Sequence, residues 1–478
     1  MAAQSNIKNT LSLLSLLLIT LPAFPQSDLL MYNYKTIPQS VSVNPGIVPR
    51  SSCAIGLPFV SSFYNKYFNS SFTTNELLRN RQADDSLVVD ISNVLPRLRD
   101  DNQFSEYSSI DLFFVGIKIK RGYLSFGLRN NAYMNITYPR ELAEFLWYGN
   151  GQYINEKLNF KDFNVNFQHY LAYHLGYAIQ LNDNFSMGAR VNILHGLSNI
   201  QFRKMDAELI TRFDPDSFYS FEANTDILVN TSGIGSFKME AGSGFSLREY
   251  LRNKNNSGFG LDFGLNWQLS PGLELSMSII DLGYLYWVSD VKNYANNRQN
   301  IKFSSIEVDL TKDVNALDVY LDSLNSIFEF RETNKNYFSS LPTRINFGLY
   351  YEINYMTHIG FLAQGRIIDD YMQNAFSLSV DRLLTKNFSL KLAWSSINNT
   401  YDNVGLGLVL QTGPVQSYFL AENIIGVFDP LNAKNHSIRF GISINIFKKK
   451  DRKRWMHPKG ISRDMGILSR KMLTSGNK

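Results

Sequence analysis

The stretch from Ser437 to Phe447 alternates polar and apolar residues without interruption, and it restricts the possible folds more than any other feature. Because successive side chains of a strand point to opposite faces, the stretch predicts a strand with one apolar and one polar face. Only a closed sheet can present such an apolar face to lipid, since every backbone N–H and C=O needs a partner there. The pattern therefore indicates the wall of a membrane-spanning barrel. The apolar face carries Ile438, Phe440, Ile442, Ile444 and Ile446, and the polar face carries Ser437, Arg439, Gly441, Ser443 and Asn445.

Strands with this alternation recur along the chain and are joined by connections of unequal length. Tight turn sequences such as 384–387 and 412–414 alternate with long links such as 288–341. This is the layout of outer-membrane barrels, in which the short turns are periplasmic. The pattern predicts an all-β fold, a transmembrane antiparallel β-barrel of about 14 strands over residues 51–447. A soluble antiparallel sheet can also alternate, but the long strands and the recurring apolar face favour the barrel.

Composition narrows the class of protein further. Charged residues make up 19% of the chain and aromatic residues 14%, so the charge content is lower than in ordinary soluble domains. Beyond the N-terminus, no apolar run is long enough for a membrane-spanning helix. Cys53 is the only cysteine, which excludes an intrachain disulfide and a cysteine metal cluster.

Within the longest link, residues 313–331 show apolar residues at helical spacing and predict an amphipathic helix.

Residues 1–26 have the pattern of a secretory signal peptide. Lys8 gives a positive start, and an apolar core of eleven residues follows over 11–21, too short to span a membrane. Cleavage after Ala23 places a small residue at position −1, although it places Leu21, which is unusual there, at position −3. The alternative is a buried helix of a cytosolic protein.

The C-terminal residues 448–478 form a strongly basic tail. They hold 11 Lys and Arg against 2 Asp, a net charge of +9, whereas the other 447 residues have 36 basic and 40 acidic groups, a net charge of −4. If the barrel has the expected orientation, the tail is periplasmic and could bind an acidic partner or anionic headgroups. The alternative is a disordered anchor beside the last strand. The basic patch consists of Lys448, Lys449, Lys450, Arg452, Lys453 and Arg454.

Several segments resemble an uncharacterised family of outer-membrane barrels common in Bacteroidetes, a domain of unknown function similar to the FadL-type long-chain fatty-acid transporter superfamily. The residues that carry the resemblance are 37–46, in which Gly46 replaces the usual alanine, and 258–264, 281–287, 341–344 and 413–423. The resemblance covers nearly the whole mature chain and implies a monomeric, plugged, fourteen-stranded barrel.

The resemblance places a plug at residues 27–50, with Pro38, Gln39, Asn44 and Pro45 in it. Three prolines between residues 38 and 49 exclude a central strand or helix there, and irregular backbone at membrane depth must lie inside the protein. The alternative is a loose periplasmic lead. The last strand also resembles the closing signal that the barrel insertion machinery reads, through Gly441, Ile444, Ile446 and Phe447.

Five charged residues fall on the polar phase of their predicted strands and are expected to face the lumen. Such charges pair with one another or with a plug, or they tune what passes. The five are Arg129, Arg190, Asp381, Lys391 and Arg439.

Motifs for catalysis or metal binding are absent from the sequence. His169 and His174 are five residues apart on a predicted strand and so face opposite sides, which argues against a zinc site. No nucleophile elbow is present, and the adjacent Asp369 and Asp370 are typical of a solvated turn. The sequence predicts no enzyme, no cofactor and no nucleic-acid partner.

Two functions follow from these observations. The first is a FadL-like outer-membrane channel that moves a hydrophobic small molecule. The second is a non-transporting scaffold or secretion-associated barrel, similar to type IX secretion subunits, that binds protein partners through its loops and tail. The sequence does not choose between them.

Overall fold

The computed structural model consists mostly of β-strands, as the sequence predicts. It describes residues 28–80, 87–149, 151–214, 218–234, 250, 255–303, 328–368, 371–397 and 400–447. The predicted signal peptide and basic tail lie outside the described residues, as does most of the predicted helix at 313–331. Those three interpretations stay predictions.

Twenty-two strands and five short α-helices are described. The helices are α1 (Asp28–Met31), α2 (Thr74–Leu77), α3 (Ile91–Val94), α4 (Arg140–Tyr148) and α5 (Ile424–Phe428), and 3-10 turns occupy Pro38–Ser42, Leu95–Arg97 and Gly151–Tyr153. No helix among the described residues is long and apolar enough to cross a membrane. The strands are β1 (Cys53–Gly56), β2 (Phe63–Asn69), β3 (Leu78–Asn80), β4 (Leu87–Val89), β5 (Asp101–Ile119), β6 (Gly122–Pro139), β7 (Lys157–Asn159), β8 (Asn164–Gln180), β9 (Phe185–Asp214), β10 (Phe218–Ser232), β11 (Ser257–Ser270), β12 (Leu273–Trp287), β13 (Val291–Phe303), β14 (Arg331–Thr333), β15 (Tyr337–Ser340), β16 (Thr343–Asn354), β17 (Thr357–Ile368), β18 (Tyr371–Thr385), β19 (Phe388–Ile397), β20 (Thr400–Thr412), β21 (Val415–Ala421) and β22 (Asn435–Ile446).

The long strands pair antiparallel into one closed barrel of 14 strands. β1 and β2 together form the first strand, and they pair on one side with β5 and on the other with β22. This double pairing joins the two ends of the chain's sheet and leaves no open edge. The predicted fold class, strand count and antiparallel order are therefore confirmed.

The two faces of the wall have opposite character. On β18, Phe376 is 50% exposed and its neighbour Ser377 only 4%, and the same alternation continues to Val380 and Asp381 along the strand. Apolar side chains thus cover the outside and polar ones fill the inside, which is the arrangement that lipid requires of a barrel.

The first strand is interrupted between β1 and β2. Six residues, 57–62, lie opposite only three residues of β5, because Gly56 pairs with Phe114 and Phe63 pairs with Ile110. The extra chain leaves the strand pairing, and Phe59 within it is 67% exposed and has a φ of 64°. Its ends remain tied to β22 by backbone hydrogen bonds at Leu57 and Val60.

The strands of the wall differ in length, and β9 is the longest of those described. β9 has 30 residues, about 100 Å of extended chain, whereas a membrane-spanning strand needs roughly 10 residues. Its outer part pairs with β10, which pairs with β13 and through it with β14. This rim extension, β9–β10–β13–β14, has its own small apolar core around Leu209 and Phe160, against which Phe145 of α4 packs.

Helix α4 is held by a charged cluster at the rim, outside the wall. Glu144 accepts hydrogen bonds from Arg140 Nε at 2.7 Å and from the Tyr153 hydroxyl at 2.8 Å. Partial burial acts to raise the pKa of Glu144, but these two hydrogen bonds outweigh it and hold the pKa below its usual value.

Candidate functional site

The N-terminal segment, residues 28–50, lies within the barrel and packs against the inward face of the wall. It is almost entirely buried. Leu30, Met31 and Ile37 belong to one apolar cluster with Leu362 and Leu420 of the wall. The segment thereby covers an apolar part of the lumen surface on β17 to β21.

Side chains of the wall also hold the backbone of the segment. Because the segment forms only short helical turns, many of its carbonyl groups need partners outside it, and a buried carbonyl without one is costly. Hydroxyl and amide donors from three wall strands provide them. The donors are Ser186 Oγ to Gly46 O at 2.8 Å, Ser278 Oγ to Val43 O at 2.8 Å and Gln416 Nε2 to Thr36 O at 3.0 Å.

Arg190 of β9 links the wall to the segment. Its Nε donates to Asp262 Oδ2 of β11 at 2.5 Å, and its terminal nitrogens reach the carbonyls of Val41 and Ser42 at 3.5 and 3.2 Å. Asn192 donates to the same carboxylate at 2.8 Å. Both charges are fully buried, so their mutual pairing is what makes the burial tolerable.

Lys391 of β19 makes a second charged link on the other side of the lumen. Its ammonium donates to the carbonyl of Tyr32 at 3.3 Å and lies 4.8 Å from the ring centroid of Tyr34. Asp381 is its direct neighbour across β18 and β19 and also binds His358 Nδ1 at 2.9 Å. Two predicted lumen charges therefore meet here, and one of them, Lys391, contacts the segment.

Asn44 and Gly46 bring the segment against β11 at close range. Asn44 Nδ2 donates to Asn266 Oδ1 at 3.1 Å, and Asn44 Oδ1 accepts from the Gly46 N–H at 2.9 Å. A Cβ on residue 46 would lie 2.7 Å from the backbone of Gly264, closer than carbon atoms approach. The glycine at this position allows the two backbones to touch.

The other predicted plug residues are also buried. Pro38 begins a 3-10 turn, which its fixed φ favours, and Pro45 follows Asn44 within the buried run. Gln39 Nε2 donates to the carbonyl of Ser61 at 3.1 Å. Ser61 lies in the interruption of the first strand, where its carbonyl has no partner from strand pairing with β5. Gln39 donates a hydrogen bond to that carbonyl instead.

Arg129 and Arg439 lie elsewhere on the inner face and are not brought together with Arg190. Arg129 pairs with Asp111 across β5 and β6 at 2.5 Å. The Arg439 guanidinium lies 4.5 Å from the ring centroid of Tyr64 and donates to Ser62 Oγ at 3.4 Å. All five charged residues predicted for the lumen are buried in the structure.

Several partners of these charges were not predicted from the sequence. Asp111 and Asp262 carry the carboxylates that bind Arg129 and Arg190, and Arg344 pairs with Asp281 at 2.9 Å. Asp262, Arg344 and Asp111 sit on the polar phase of apolar-alternating strands, so the period-two rule could have found them. A register shift at Asp281 hides its phase.

The predicted closing signal occupies the end of the last strand of the wall, β22. Gly441 lies directly against the Tyr418 ring and the Ser61 carbonyl. Ile444 and Ile446 are on the outward face, and Phe447 follows the strand. The basic patch at 448–454 lies outside the described residues.

Nothing in the described part of the chain is arranged as a metal centre. No group of three His, Cys, Asp or Glu side chains is close enough to hold an ion there. His169 binds Asn130 and Tyr250, while His174 is buried on the opposite face of β8. The side chains of Asp369 and Asp370 lie outside the described residues.

Comparison with known proteins gives the family of the chain and little about its activity. No curated protein matches it. The Pseudomonas putida toluene transporter TodX is similar over 88% of this chain and 95% of its own, with 9% identity and a TM-score of 0.41. The Ralstonia pickettii toluene transporter TbuX is similar over 86% of this chain and 94% of its own, with 8% identity and a TM-score of 0.39. A Pseudomonas aeruginosa FadL homologue is similar over 88% of this chain and 98% of its own, with 11% identity and a TM-score of 0.39.

The family model covers most of the barrel. It matches residues 45–422, from the end of the N-terminal segment to the last long loop. The chain therefore belongs to the family of unknown function DUF5723.

Proposed function

We propose that the protein is an outer-membrane channel for a hydrophobic small molecule, with the N-terminal segment acting as its plug. The observation that carries the proposal is the pair of charged links, Arg190 and Lys391, which donate to backbone carbonyls of the buried N-terminal segment. Such contacts are non-covalent, so they hold the segment in place and still allow it to move. The apolar wall surface beneath the segment, including Leu362 and Leu420, would receive an apolar solute once the segment moves.

The location follows from the barrel and the predicted export signal. A closed strand barrel with an apolar exterior is the form in which a sheet can enter lipid, and bacterial barrels of this kind occupy the outer membrane. We propose that the insertion machinery reads the closing strand at 441–447. The short turns and the basic tail at 448–478 are then periplasmic, where the tail would meet an acidic partner.

The test compares the full chain with a variant lacking residues 28–50. Single-channel recording in planar bilayers measures ion passage, and the entry of the apolar dye N-phenyl-1-naphthylamine into intact expressing cells measures apolar passage. We expect the full chain to conduct few ions but to speed dye entry, and the deletion to open a steady conductance. Arg212→Gln, which alters only an exposed rim pair with Glu222, serves as the control and should behave as the full chain.

A second candidate function is a scaffold that binds protein partners. The rim extension favours it, because β9 continues far beyond the length that a membrane requires. If neither the full chain nor the deletion conducts ions or admits dye, the channel proposal fails. The scaffold would then be tested by cross-linking partners to the extension in whole cells.

A further inference from the structure

Three donor side chains stand in a row across β16, β17 and β18. Arg344 is directly opposite Arg366, and Arg366 is directly opposite Gln373. All three are buried, so they point into the lumen. Two like charges facing each other across a strand pair repel and destabilise the sheet unless negative charge compensates them.

Only part of this row is compensated within the described residues. Arg344 binds Asp281 at 2.9 Å. Arg366 is 5% exposed, and its described contact is the Tyr107 ring, whose centroid is 5.5 Å from the guanidinium carbon. Gln373 is 6% exposed, and its Nε2 has no hydrogen-bond partner. A buried cation and a buried amide donor, side by side without acceptors, are costly to maintain.

We propose that Arg366 and Gln373 form a lumenal site for an oxyanion, the carboxylate or phosphate group of a solute. The planar guanidinium matches two oxygens of such a group, and the Gln373 amide adds a donor beside it. The Tyr107 ring gives the solute an aromatic surface in contact with the same arginine. The inference rests on the proposed channel for its physiological meaning, since it names the class of solute, but binding is measurable without passage.

The first test measures binding to the full chain in detergent by isothermal titration calorimetry. The probes are benzoate, its neutral isostere benzamide, and inorganic phosphate. We expect benzoate, phosphate or both to bind at least tenfold more tightly than benzamide. Binding by one anion alone identifies its group as the ligand chemistry. Equal affinity for benzoate and benzamide, or no anion binding at all, overturns the proposal.

The second test uses variants. Arg366→Gln and Gln373→Leu should each weaken anion binding at least tenfold, whereas Arg212→Gln at the exposed rim should leave it unchanged. Without anion, Arg366→Gln should unfold at the same temperature as the full chain or a higher one, because an uncompensated charge has been removed. A lower unfolding temperature would show that the chain itself supplies the counter-charge, and it would overturn the proposal. Anion binding, with neither ion conduction nor dye entry in the full chain and the deletion, would overturn the channel and leave the site.

Discussion

Replacing Arg190 by glutamine tests whether charged wall residues hold the N-terminal segment. Arg190 and Asp262 are both buried, 4% and 0% exposed at their side chains, and Arg190 also reaches the carbonyls of Val41 and Ser42. Removing one partner of a buried ion pair costs about 3–5 kcal/mol, because the other charge stays buried without compensation. We expect Arg190→Gln to lower the free energy of unfolding by about that amount.

Part of the stabilisation by Arg190 comes from its hydrogen bonds to the N-terminal segment. The hydrogen bond to Ser42 O, at 3.2 Å, is charge-assisted and so is worth about 1.5–3 kcal/mol. Since about 1.4 kcal/mol changes an equilibrium tenfold, losing it should raise the population with a displaced segment roughly 10- to 100-fold. Single-channel recording reads this population as the fraction of time in which the pore conducts.

The double variant Arg190→Gln, Asp262→Asn separates the two effects. It leaves no buried charge uncompensated, so urea unfolding should recover most of the lost stability. The segment carbonyls still lack their cationic donor, so the raised open fraction should persist. Unchanged stability and an unchanged open fraction in Arg190→Gln would refute the account. So would a double variant that restores both together.

Three further predictions concern other parts of the molecule. Gly46→Leu should displace the segment from Gly264 at a cost of about 1–3 kcal/mol and raise the open fraction in the same recordings, without changing barrel assembly on gels. Phe376→Arg on the lipid face should cost about 2–4 kcal/mol if it lies near the bilayer midplane, measured by urea unfolding in liposomes. Because the pKa of Glu144 is lowered in the folded chain, its contribution to α4 docking is present above the unfolded pKa and lost as the pH falls through the folded value; Trp147 fluorescence should report this loss, and Glu144→Gln should abolish its pH dependence.

The sequence determined the wall of the barrel. Side chains of a strand alternate with period two whatever the partner strand is, so stretches such as 437–447 showed both the strand and its apolar face. Lipid then permits only closure, and the spacing of turns gave about 14 strands. The same rule placed Arg190 and Lys391 on the inner face.

Only the tertiary structure decided which inward groups meet. Arg190 and Asp262 are 72 residues apart, and Arg366 reaches the Tyr107 ring from a strand far away in the chain. Such contacts depend on the register between strands and on closure of the barrel, which bring together residues that no local pattern relates. The path of the N-terminal segment is likewise set by donors distributed around the wall, because an irregular segment has no periodicity of its own to predict it.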